Sequence, residues 1–93
     1  MMNALKRKIR YRKRYVEVIV KCSPAGEIIP LAIYWPDNGE LYEIDKVLDI
    51  RPAASLKAGG TGIRYQCRIQ GKETFLWLEE NKWFVEEKIR EAV

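Results

Sequence analysis

The stretch that decides the fold is Ile63-Arg64-Tyr65-Gln66-Cys67-Arg68-Ile69-Gln70. Apolar and polar side chains alternate along it without a break. A period of two is the signature of a half-buried β-strand, because successive side chains point to opposite faces. Ile63, Tyr65, Cys67 and Ile69 are therefore expected to face a core. Arg64, Gln66, Arg68 and Gln70 fall on the other face, a row with two guanidinium groups, two amides and no acid.

Outward from this strand, turn signals recur at short intervals. Gly71-Lys72 is a tight turn before a strand over 73–80, and Asn81-Lys82 is another before a strand over 83–86. Residues 87–92 fit one or two closing turns of helix. Upstream, Val16, Val18, Val20 and Cys22 alternate with Tyr15, Glu17, Ile19 and Lys21, giving a first strand over 15–22. Ser23-Pro24-Ala25-Gly26 turns the chain. A second strand over 27–35 has Ile29, Leu31, Ile33 and Trp35 in phase, and Pro30 within it requires an edge position or a bulge.

Asn38-Gly39 between apolar runs predicts a hairpin. The third strand then spans 40–50, with a bulge near Asp45-Lys46. Residues 51–62 break the pattern and read as the longest loop, with a helical turn around 53–57. Five to six short strands with tight turns predict a mainly β fold, a small antiparallel barrel of SH3-like or OB-like type. At 93 residues the chain is expected to form one such domain over 15–93.

Charge divides the chain. Lys6, Arg7, Lys8, Arg10, Arg12, Lys13 and Arg14 make residues 1–14 a basic arm without an acid. The remainder holds ten basic and thirteen acidic side chains, so the net charge of +4 comes from the arm alone. Such a block reads either as a solvated terminus or as a contact for phosphates. Leu5 and Ile9 give it too little apolar face for a membrane-surface helix.

The chemistry available is limited. With no histidine in the chain there is no imidazole base, no Ser-His or Cys-His nucleophile and no histidine metal ligand. Cys22 and Cys67 are too far apart for a C-x-x-C metal pair. Both lie in phase with apolar neighbours and read as small core residues, with a disulfide between them as the alternative. Asp45 with Asp49, or Glu79 with Glu80, are the remaining carboxylate pairs. Gly59-Gly60-Thr61-Gly62 has the backbone freedom of a phosphate nest but lacks the Walker pattern, so a connection between strands is the simpler reading. No enzyme, cofactor or metal is expected. Neither a secretory signal nor an apolar run of membrane-spanning length is visible, so a cytoplasmic location with reduced thiols is expected.

Residues 27–86, and within them DKVLDIRPAASLKAGGTGIRY (45–65) and GKETFLWLEENKWFVE (71–86), resemble a family of small uncharacterised bacterial proteins. The resemblance implies a stand-alone domain in the bacterial cytoplasm and no particular activity. It does not extend over the arm.

Two functions fit these residues. The first is a non-catalytic nucleic-acid-binding module with little sequence specificity. The arm would contact phosphates, and Arg51, Lys57, Arg64, Gln66, Arg68 and Lys72 would form a second surface, unless Glu73, Glu79 or the Glu86-Glu87 pair neutralises it. The second is a protein-interaction module taking a peptide or partner protein in a groove or along a sheet edge. Trp35, Trp77 and Trp83 are candidate stacking platforms, although at least two of the three are expected in the core.

Overall fold

A computed structural model describes residues 9–89. Its seven strands among the described residues are β1 (Arg10–Cys22), β2 (Ile28–Tyr34), β3 (Leu41–Glu43), β4 (Lys46–Ala54), β5 (Thr61–Ile69), β6 (Lys72–Glu79) and β7 (Lys82–Ile89). They form one antiparallel sheet in the order β3-β2-β1-β7-β6-β5-β4, curled into a half-barrel. The mainly β expectation holds. No described residue is helical, so none is part of a helix long and apolar enough to cross a membrane.

The curl begins in β1. Its first half, Arg10 to Val16, pairs with β7, and its second half, Glu17 to Cys22, pairs with β2. A second corner lies at the expected break near Asp45. The Ile44 N–H donates to the Leu31 carbonyl at 2.8 Å, and the next N–H, of Asp45, donates to the Arg68 carbonyl at 2.8 Å. The chain thus leaves the β2 side of the sheet and joins the β5 side within two residues. This corner splits the strand expected over 40–50 into β3 and β4, which corrects the count from five to six strands to seven.

Three other boundaries differ from the sequence reading. Residues 51–54 continue β4, and only 55–60 turn, so the long loop and its helical turn are replaced by a hairpin. Ser55 closes it: its backbone N–H donates to the Gly60 carbonyl, and the Gly59 N–H donates back to the Ser55 carbonyl, both at 2.9 Å. Pro52 is accommodated because β4 is an edge strand. At the C-terminal side β7 runs through Ile89, so residues 87–89 are strand and not helix; 90–93 lie outside the described residues. At the N-terminal side β1 begins at Arg10, not Tyr15, and Arg10 to Arg14 belong to the sheet.

The core gathers Val16, Ile33, Tyr65, Cys67 and Leu76, with Val18, Trp35, Ile44, Val47, Ile69, Leu78, Trp83 and Val85 packed around them. Tyr65 and Cys67 face inward as expected, and Ile69 packs beside them, but Ile63 lies near the sheet margin and is 38% exposed. The Tyr65 hydroxyl donates to the Ile28 carbonyl at 2.7 Å, tying β5 to β2 across the half-barrel. Pro30 sits at the predicted bulge: Ile19 faces Ala32 and Val20 faces Pro30, leaving Leu31 as the extra residue.

That bulge also ends the inward phase of β1. Val20 is 40% exposed and Cys22 is exposed, so only Cys67 is the core thiol that the sequence suggested for both. Both cysteines are free. Burial pushes the Cys67 thiol up to about 11. A thiol-selective disulfide reagent should therefore label one cysteine per native chain at neutral pH and two after unfolding, with Cys22→Ser abolishing the native reaction. The raised pKa favours the protonated folded state. Its stabilising contribution is complete below the ordinary thiol pKa of 9.0 and is lost as pH rises through about 11. Rapid native labelling of Cys67 at neutral pH would contradict its burial.

Candidate nucleic-acid interface

The face of the sheet opposite the core is read by following opposed residues from strand to strand, since opposed side chains share a face. One row runs Tyr15, Phe84, Trp77, Arg64, Arg51 across β1, β7, β6, β5 and β4. A second runs Phe75, Gln66, Asp49, and a third Glu73, Arg68, Lys46. The face therefore has an aromatic side and a cationic side.

On the aromatic side, Phe84 and Trp77 stack with centroids 5.5 Å apart and planes at 4°. Tyr15 meets Phe84 edge-on at 6.1 Å, and Phe75 meets Trp77 edge-on at 5.6 Å. The Lys13 ammonium lies 5.3 Å from the Phe84 centroid. Trp77 is buried here, while Trp35 and Trp83 are half-buried on the core side. Phe75 remains 36% exposed.

On the cationic side, Arg51 stands directly opposite Arg64, and Lys46 directly opposite Arg68. Two like-charged cross-strand pairs on one face are unfavourable unless an anion lies between them. Asp49 supplies part of the compensation. Its carboxylate accepts from Arg51 Nε at 2.6 Å, which holds the Asp49 carboxyl below its ordinary range and raises the guanidinium. Glu73 supplies the rest: it accepts from Gln66 Nε2 at 2.9 Å and lies 3.8 Å from an Arg68 nitrogen. Four cations thus share two acids. The expected neutralisation by Glu73 is present but partial.

Asp37, Glu79 and Glu87 are taken by cations of β1. Arg12 pairs with Glu87 at 2.7 Å, Lys13 with Glu79 at 2.8 Å, and Arg14 with Asp37 and, at 3.7 Å, Glu87. The hydrogen bond to Glu79 raises the Lys13 pKa, and the same contact lowers that of Glu79. Arg12, Lys13 and Arg14, expected as phosphate contacts, each pair with an acid in the structure. Arg10 also lies in β1, and Lys6, Arg7 and Lys8 lie outside the described residues.

Of the second surface, Arg51, Arg64, Gln66 and Arg68 come together. Lys57 does not join them; its ammonium lies 5.0 Å from the Tyr11 centroid. Lys72 opposes Ile69 on the core face and lines an apolar cavity. The glycine-rich segment is a hairpin end, with the Thr61 N–H donating to Glu79 Oε2 at 3.3 Å. Lys46 and Phe75 belong to the surface but escaped the sequence reading, because only the strand register places them beside Arg68 and Gln66. The Asp49 and Glu79 carboxylates, each held ionised by a cation, lack the raised pKa of a general acid. Among the described residues, no group of three or more Cys, Asp or Glu side chains is arranged to hold a metal ion.

Comparison with protein-family models, with curated proteins and with solved structures found no match to this chain.

Proposed function

We propose that the protein is a non-catalytic nucleic-acid-binding module with little sequence specificity, and that the β4–β5 face is a contact surface beside the N-terminal arm. The observation that carries this reading is the pair of opposed cations, Arg51 with Arg64 and Lys46 with Arg68. Along β5, Arg64 and Arg68 are four residues apart, about 13 Å at the rise of a strand. A sugar–phosphate backbone can place anions at that spacing. The planar guanidinium fork suits phosphate oxygens and reads no sequence. The SH3-like or OB-like assignment and the cytoplasmic location belong to this reading, since small barrels of this kind bind strands on an exposed sheet face.

Fluorescence anisotropy with a labelled single-stranded oligonucleotide at two salt concentrations tests it. Each phosphate contact contributes about 0.7 to the logarithmic salt slope for single strands. Arg51→Ser combined with Arg68→Ser is expected to flatten the slope by about 1.4 and to weaken low-salt binding about tenfold or more. Absence of binding at low salt, or a slope unchanged in the double variant, would sink the proposal.

A second reading has its own observation. The β6–β7 ladder covers only Trp77 with Phe84, Leu78 with Trp83 and Glu79 with Lys82. Beyond it the strands part, and a cavity of about 290 Å³ opens among Ile33, Trp35, Tyr42, Ile69, Lys72, Thr74, Val85 and Glu86. Such a groove suits an apolar side chain of a peptide. A partner retained through nuclease treatment and high salt, and lost in Trp35→Ala, would favour this function over the first.

A further inference from the structure

We propose that Phe75 is a stacking platform for a base of single-stranded nucleic acid, and that Arg64 occupies this platform in the free protein and yields it to the base. The proposal rests on the nucleic-acid reading above and names its ligand class. The Arg64 guanidinium carbon lies 4.4 Å from the Phe75 centroid, close enough to cap the ring. Phe75 is 36% exposed and stands beside Trp77, whose edge-on contact fixes its orientation.

Arg64 is poorly satisfied where it sits. Its Nε is buried without an acceptor, and so is the Nε1 of Trp77, its opposed neighbour on β6. Its opposed neighbour on β4 is Arg51, a like charge. An arginine with an idle donor, held against a ring and facing another cation, gains by moving onto an anion. A base brings both parts of the exchange: its π-face replaces the guanidinium on Phe75, and its phosphate receives the fork. The ring lies on a sheet face, so the base must already be free of its own stack. That selects single strands over duplex.

The position of the platform agrees with this exchange. The Phe75 row runs between the Arg51–Arg64 pair and the Lys46–Arg68 pair. A base on the ring therefore has a cationic pair on each side for its flanking phosphates.

The test compares three probes of equal length at one salt concentration: decathymidylate, an abasic decamer with the same phosphates, and a ten-base-pair duplex. Decathymidylate is expected to bind about tenfold more tightly than the abasic strand, the order that one base–aromatic stack contributes. Phe75→Leu should remove that difference. Arg64→Met should weaken both strands. Equal binding of decathymidylate and the abasic strand by the wild-type protein would overturn the platform while leaving the phosphate-contact reading intact. Tighter binding of the duplex than of decathymidylate would likewise overturn it. Binding of none of the three would overturn both proposals.

Discussion

Phe84→Ala is expected to destabilise the protein by about 3–5 kcal/mol, the range for removing a fully enclosed aromatic ring. Phe84 is 0% exposed, yet it lies on the face away from the main core. It is enclosed by the parallel ring of Trp77, the edge-on ring of Tyr15 and the Lys13 ammonium over its face. Lys13 is fixed in turn by Glu79. The loss includes a cavity that this arrangement cannot collapse to fill, because the surrounding rings are anchored on two separate strands, β1 and β6. A domain of this size has a total stability of about 5–14 kcal/mol, so one substitution removes about a fifth or more of it. Urea unfolding followed by tryptophan fluorescence measures the change. A loss below about 1 kcal/mol would mean that the ring is not packed as described.

Gly62→Ala is expected to cost about 1–3 kcal/mol, and Gly62→Val more. Gly62 stands where β5 meets β6, and a Cβ there would overlap the Leu78 carbonyl oxygen and crowd the Glu79 Cα at 3.2 Å. Both obstacles are backbone, so the neighbouring strand would have to move. That movement would disturb the Ile63–Leu78 pair at the end of the ladder. Gly59 provides the comparison: its Cβ would meet nothing within 4 Å, and the cost of Gly59→Ala comes only from a φ of +78°. Loss of ladder protection by amide exchange in β5 and β6 for Gly62→Ala, but not for Gly59→Ala, separates crowding from backbone strain. Equal loss in the two variants would refute the close approach.

Periodicity carried the reading wherever one strand face met the core. Residues 63–69 alternate cleanly because β5 is bracketed by β4 and β6 and has one face covered. The Asn38-Gly39 turn and the Pro30 bulge were legible because each is a local backbone requirement. What escaped was non-local. Residues 10–14 carry no apolar alternation, and their strand character depends on acids more than sixty positions later, Glu79 and Glu87. A run of cations reads as a solvated block until its partners are placed opposite it. Lys46 was missed among the cations of the β4–β5 face for a related reason, since its pairing with Arg68 lies beyond a register shift between Val47 and Asp49.

The position of β1 between β2 and β7 sets the order in which the chain can mature. During synthesis β1 emerges first among the strands and β7 last, yet Arg10 to Val16 find their partners only on β7. The sheet's central seam therefore stays open until translation of the described strands is complete. At ribosomal speeds of about 5–20 residues per second, that leaves a cation-rich half-strand waiting for several seconds. Closure of this seam joins the most distant parts of the chain, so it is expected to limit the folding rate, as such non-local pairings do in other small β proteins.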